Sequence, residues 1–233
     1  MKRMVLGGVI FAILMSILLL LVYIFFSLFT PNIIFMLALI LIVFSFAGIV
    51  LGGYYFYKEW QEFEILDFSL IALFSSFLFS VNYIAMIIPP ILYYFLPGAS
   101  GFTFYLPCSI FYGAFKGRIE KRGSSFLLMT SYGILSEIFF PSLFWLPYYL
   151  AWGGFIEIHS NFIKLDDKVS RFLHGFIFGC YGAGLASLYM LVGWGLYKPI
   201  FIVIPAIIID AILSSIGLNL GFKIGTSFKY SSL

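Results

Sequence analysis

Long apolar runs separated by short polar clusters set the rhythm of this chain. A helix of roughly 17–25 apolar residues is long enough to cross a bilayer. The pattern predicts eight such spans, at residues 4–28, 31–57, 68–88, 102–115, 125–140, 146–163, 172–194 and 199–222, the fourth and fifth being short. Met1-Lys2-Arg3 ahead of the first run also has the charge pattern of a signal peptide. That run extends over about 25 residues with no small-x-small cleavage site behind it, so a retained helix is expected. The expected fold class is all-α, a polytopic transmembrane helical bundle.

The polar clusters orient the spans. With eight spans, both termini share a side. That side receives Lys2, Arg3, Lys58, Lys116, Arg118, Lys121, Arg122, Lys164, Lys168, Arg171, Lys223 and Lys229, and the other receives Lys198. Lysine and arginine mark the cytoplasmic face, so both termini are expected in the cytoplasm of a multi-pass plasma-membrane protein. One span more or fewer would scramble that asymmetry. The acidic run Glu59, Glu62, Glu64 and Asp67 interrupts the pattern and divides the chain. Residues 1–57 read as an apolar transmembrane hairpin. Residues 58–233 read as a six-helix, substrate-binding membrane core that carries every candidate functional residue.

Composition fits this reading. The chain is 63% hydrophobic and 10% charged, against about 25% charged in soluble domains. A domain of this size cannot bury so much apolar surface, so lipid is the expected solvent. A net charge of +3 is too small to point to nucleic acid. Cys108 and Cys180 lie in apolar segments, with neither CxxC spacing nor a Cys/His cluster, and read as packing residues. No metal or cofactor is expected. The chain has no GxxxxGK[ST] phosphate loop, no HExxH and no adjacent glutamates, so no enzyme is expected and ATP hydrolysis would fall to other subunits.

The candidate chemistry lies in acids placed among apolar residues. At about 1.5 Å per residue, Glu137 falls roughly 5 Å inside the outer end of the fifth span. Glu157 and Asp210 fall roughly 16 Å inside the outer ends of the sixth and eighth. No lysine or arginine is expected at that depth. An ionisable group within a span is costly and is a functional-site hypothesis by default. Each of these acids must be protonated, hydrogen-bonded or paired with something outside the chain. His159 points away from Glu157, His174 reads as interfacial, and no continuous acid/histidine chain marks a proton relay.

Tyr149, Gly153 and Glu157 share one face of the sixth span, and Gly133 and Glu137 one face of the fifth. Gly153-Gly154 permits close approach of a backbone or ligand. Trp145, Trp152, Tyr148, Tyr93, Tyr94, Phe144, Trp194 and Tyr197 read as an interfacial aromatic belt, some of it able to stack on a cationic ligand. The loop with Pro89, Pro90 and Pro97 reads as a lid. Small residues at spacing four, which let helices meet in lipid, occur as Ala72, Ser76 and Ser80; as Gly175, Gly179, Ala183 and Ser187; and as Ala211 with Ser215 and Gly217 with Gly221.

Gly113-Ala-Phe-Lys116 with its basic loop and Gly123, Gly133-Ile-Leu-Ser-Glu137 and Gly153-Gly154-Phe-Ile-Glu157 together resemble the substrate-binding S component of an energy-coupling factor (ECF) transporter, in particular the YkoE-like thiamine or hydroxymethylpyrimidine type. The resemblance covers roughly residues 65–225. It implies a vitamin bound near the outer face with Glu137 and Glu157 among its contacts. It also implies a transmembrane coupling subunit on Ala72, Ser76 and Ser80, and separate ATPase subunits. The hairpin 1–57, Pro141 and Trp152 depart from that pattern.

The expected function is therefore capture of a small cationic or aromatic nutrient in the bilayer. Glu137, Glu157, Tyr149, Trp152, Gly153, Asp210 and Trp145 are the candidate substrate-binding residues. The alternative is a non-catalytic structural or accessory subunit of a larger membrane complex, its acids satisfied within the core.

Overall fold

The protein is seen here in a computed structural model that describes residues 32–88, 96, 98–141, 145–194 and 198–230. Among them every regular element is helical: α1 Asn32–Glu59, a 3-10 turn Trp60–Glu62, α2 Ile65–Ile87, a π turn Gly101–Tyr105 leading into α3 Leu106–Arg118, α4 Ser124–Phe139, α5 Leu146–Phe162, α6 Lys168–Trp194 and α7 Ile200–Tyr230. Helices thus occupy the second to eighth apolar runs. The first run lies outside the described residues. Among them three helical stretches are long and apolar enough to cross a membrane: Ile65–Ile87, Lys168–Leu191 and Phe201–Phe228. The apolar run of the last thins at residue 222, whereas the helix continues to Tyr230.

Local chemistry explains where the helices start. Asp67 Oδ2 accepts the Glu64 N–H at 2.8 Å, satisfying a donor at the head of α2. Asp167 accepts the Ser170 N–H at 2.8 Å and the Ser170 hydroxyl at 2.6 Å at the head of α6. Prolines stand in the first turns of α3 and α5, where a missing N–H costs nothing. The turn into α4 passes through Gly123 at φ +80°, the left-handed region that glycine enters without strain.

The small-residue ladders close the bundle. Gly217, Gly221 and Gly225 of α7 lie against the backbone of α3 at Leu106, Ile110 and Ala114, while Gly113 and Gly117 of α3 lie against Leu218 and Phe222. Gly175 and Gly179 of α6 meet Ser215 and Ala211 of α7. Gly154 of α5 meets Gly48 of α1, backbone to backbone. Lipid gives helices no hydrophobic reason to associate, so such close approach is the means of holding them. Trp152, Tyr112, Tyr132, Tyr181, Phe115, Phe155 and Phe178 fill the interior between the ladders.

Charged side chains gather at one end of the bundle. Lys121 pairs with Asp67 at 2.6 Å and Arg122 with Glu59 at 3.3 Å, joining the α3–α4 connection to the start of α2 and the end of α1. The α5–α6 connection lies at this end too, where Arg171 donates to the Leu165 and Asp166 carbonyls, bonds Asn219 of α7 and packs over the Phe222 ring. We call it the basic end.

Candidate functional site

The expected convergence of three acids does not occur. Glu137 and Asp210 flank one polar layer, and Glu157 belongs to another at the basic end.

The first layer is built from tyrosines. Tyr148 and Tyr149 are neighbours on α5, so about 100° of helix turn separates them and they serve different partners. Tyr148 donates to the Gly182 carbonyl of α6 at 3.2 Å. The Tyr149 hydroxyl receives the Asn82 amide of α2 and the Tyr132 hydroxyl of α4, each at 3.4 Å, and Ser136 also bonds it. O–H···O bonds normally close to about 2.7–2.8 Å and N–H···O bonds to about 2.9–3.0 Å, so the Tyr132 and Asn82 contacts are loose. The rings are tight: Tyr132–Tyr149 centroids lie 4.4 Å apart and Tyr148–Tyr149 5.0 Å. Trp145 meets Tyr148 edge-on at 5.4 Å and stacks on Tyr189 at 5.9 Å.

Each flank of this layer carries a carboxylate. Glu137, partly exposed on α4, acts on Tyr149 through its charge. Asp210 is 2% exposed on α7. It accepts the Ser100 hydroxyl at 2.9 and 3.1 Å and the Gly101 N–H, and its charge reaches Tyr105 and Tyr148. A side chain at position 101 would run into the Asp210 carboxylate, so glycine is what admits the acid here. Lys198 lies in Asp210's field, and burial pushes its amine below the ordinary lysine range.

The second layer corrects the expected depth of charge. Glu157 is fully buried; its Oε2 accepts the Ser125 N–H at 3.0 Å and Oε1 receives Asn161 at 3.4 Å. It occupies the head of α4, whose Gly123 has no side chain to cap it, and a carboxylate is stabilised at a helix N-terminus. Lys116, expected in a solvated loop, is 4% exposed, bonds Ser124 at 3.2 Å and lies in the field of Glu157. Neither Glu157 nor Asp210 is therefore an acid without a basic neighbour. His174 is not interfacial: it is 1% exposed, with Nε2 3.0 Å from the Tyr112 hydroxyl. His159 does turn away from Glu157, to the Tyr181 hydroxyl at 3.0 Å.

Other candidates take packing positions. The missing Gly153 Cβ faces Met129, and that of Gly154 faces Gly48. Trp152 is fully buried and donates to the Phe178 carbonyl at 3.1 Å. Ala72, Ser76 and Ser80 lie on the exposed face of α2, and the serine hydroxyls bond back to their own helix at 2.8 and 2.9 Å, which leaves a smooth stripe. Tyr93, Tyr94, Phe144, Tyr197, Pro89, Pro90 and Pro97 lie outside the described residues. No protein-family model, curated protein or solved structure matches the chain. The arrangement itself must carry the functional reading. Sequence reasoning missed Asn82, Tyr132 and Ser100, and placed Lys116 only in the basic loop. Asn82 alone had a signal, as an amide within an apolar run.

Proposed function

We propose that the chain is a multi-pass membrane subunit that captures a small aromatic, donor-bearing cation of the thiamine or hydroxymethylpyrimidine kind, energised by separate coupling and ATPase subunits. In this reading the chain spans the bilayer eight times. The basic end faces the cytoplasm, as the bias of twelve basic residues to one requires, and the tyrosine layer is reached from outside. The observation that carries it is the Tyr149 hydroxyl, also bonded by Ser136, whose contacts to Asn82 and Tyr132 are long at 3.4 Å and which lies in the field of Glu137. Phenols and an amide with slack hydrogen bonds can re-aim toward a guest. The rings offer stacking faces worth about 0.5–2 kcal/mol to a cation. Glu157 is not a ligand residue in this proposal, since its oxygens already serve α4 and Asn161.

The test is thermal unfolding of the purified full chain with thiamine and with hydroxymethylpyrimidine. A ligand at about 100 times its Kd adds about 2.7 kcal/mol, which raises Tm by roughly 5–10 °C. Tyr149→Phe should diminish that rise and leave the unliganded Tm within about 2 °C of wild type. No rise with either compound would overturn the reading.

The self-sufficient bonding of Glu157 favours a second reading, an accessory subunit that docks through Ala72, Ser76 and Ser80. Affinity purification separates the two: ATPase subunits accompany a capture subunit, and a different membrane complex accompanies an accessory one.

A further inference from the structure

Several cations at the basic end already face an opposing charge. Lys116 lies in the fields of Glu157 and Glu120, Lys121 pairs with Asp67, and Arg122 pairs with Glu59. The seam between the head of α6 and the tail of α7 is different. Lys168 and Lys223 are exposed there, and among the described residues neither makes an ion pair. Helix register brings the two level. Gly179 meets Ala211, Gly175 meets Ser215 and Arg171 bonds Asn219, so the helices run antiparallel in steps of four residues. The next step toward the basic end sets Asp167 and Lys168 level with Phe222 and Lys223. The Arg171 guanidinium packs over the Phe222 ring. Its Nε and Nη1 serve Asn219 and the Leu165 and Asp166 carbonyls, and among the described residues Nη2 has no hydrogen-bond partner.

Each lysine heads an apolar stripe that runs away from the basic end. Phe172 lies four residues from Lys168, while Leu220 and Ile216 lie three and seven from Lys223, spacings that share a helix face. Phe172 is 44% exposed, Leu220 49% and Ile216 44%. Ile224 and Phe228, also exposed, stand beside and beyond Lys223 on the part of α7 that outruns the apolar sequence. Acids do not cancel the charge. Lys164, Lys168, Arg171 and Lys223 outnumber Asp166 and Asp167, and the Asp167 carboxylate already accepts two bonds from Ser170.

We propose that this seam holds an anionic phospholipid, its phosphodiester headgroup on Lys168, Lys223 and Arg171 Nη2 and its acyl chains along Phe172, Ile216 and Leu220. Basic pockets between membrane helices on the cytoplasmic side are where such headgroups bind. Charge complementarity selects the head, and the exposed stripes select a head that carries tails. A soluble phosphate would meet the cations and leave the apolar walls uncovered. A zwitterionic lipid brings its own ammonium to the lysines and is disfavoured. The inference rests on the membrane placement proposed above, and it does not depend on a ligand for the tyrosine layer.

The test uses the full chain in detergent, where no charged leaflet surrounds it and a local site must do the selecting. Native mass spectrometry counts dioleoyl-phosphatidylglycerol and dioleoyl-phosphatidylcholine retained from an equimolar titration; the two share their acyl chains. We expect one phosphatidylglycerol to be held at least about five-fold more tightly than phosphatidylcholine, since each nearby lysine contributes about that factor. Lys168→Gln and Lys223→Gln change exposed side chains, and each should weaken it about five-fold. Lys58→Gln, an exposed lysine at the end of α1, should leave it within two-fold. Equal retention of the two lipids, or retention of neither, would overturn the proposal. An equal loss in Lys58→Gln would show diffuse charge and would also overturn it. Displacement by millimolar inorganic phosphate would make the occupant a soluble anion and overturn the lipid. Carbonate extraction of the source membranes comes first. Release of the chain there refutes the membrane placement, whereas retention followed by no lipid preference refutes this inference alone.

Discussion

Replacing Gly221 by alanine tests the α3–α7 packing on which the placement of Asp210 rests. Gly221 stands on the face of α7 that meets α3. A Cβ there would collide with the Ile110 carbonyl and approach Ala114 N to 2.9 Å. Both obstacles are backbone, so no rotamer change relieves them and the two helices must part. Overpacking of this kind costs about 1–3 kcal/mol, and a rigid obstacle puts Gly221→Ala at the upper end. For a chain of this length that lowers Tm by roughly 6–12 °C. Gly184 of α6 is the control, since a Cβ there meets nothing within 4 Å. Gly184→Ala should gain up to about 1 kcal/mol from helix propensity. The assay is thermal unfolding of the three proteins in one detergent, followed by tryptophan fluorescence. If Gly221→Ala unfolds at or above the wild-type temperature, α3 and α7 do not meet backbone to backbone, and the placement of Asp210 against Ser100 and Gly101 falls with them.

Glu157→Ala removes the acceptor of the Ser125 N–H and an anion in whose field Lys116 lies, and should cost about 2–3 kcal/mol. Lys116→Met combined with Glu157→Gln should cost less than the sum of the two changes, by at least about 0.5 kcal/mol in a double-mutant cycle of unfolding midpoints; strict additivity would show that the two side chains do not interact. Asp167 is held below the usual carboxylate range by its bonds from Ser170. Its contribution is therefore present above the ordinary aspartate value and is lost as pH falls through the lowered one. Asp167→Ala should flatten the acid limb of Tm against pH and leave the limb above neutrality unchanged. Arg171→Ala frees two loop carbonyls and Asn219, and should raise amide exchange in the α5–α6 connection first, with Arg171→Lys restoring little because a point charge lacks the guanidinium fork.

The helices were legible because their signal is long. Runs such as Ile65–Ile87 and Ile200–Tyr230 are apolar over many turns, and no competing pattern exists at that length. The ladders were legible for a related reason: spacing four fixes a common helix face without knowledge of the partner. What each ladder touches was not legible. Gly175 with Gly179 and Gly217 with Gly221 turn inward, whereas Ala72, Ser76 and Ser80 turn outward, and nothing in their spacing distinguishes the two cases. The neighbouring residues carry the difference. The buried side of α2 bears Ser75, Leu78 and Asn82, and Asn82, the amide of that helix, is drawn to the side where Tyr149 can receive it.

The misplaced element was charge, and the reason is geometric. Depth counted from the outer end put Glu157 near the midplane and Lys116 in a loop. Measured from the opposite end, Glu157 lies only five residues before the close of α5, and Lys116 lies two before the close of α3. Both therefore belong to the last turns of their helices, where the head of α4 also stands. A residue near a helix end is committed to solvent only if nothing covers that end. Here the connections held by Lys121 to Asp67 and Arg122 to Glu59 gather around it, so the interior extends past the point where apolar sequence stops. The same covering puts His174 against Tyr112 instead of at an interface. Polar residues near span ends thus need their covering loops counted before depth is assigned, and in this chain that count moves Glu157 from the expected group of three acids to the basic end.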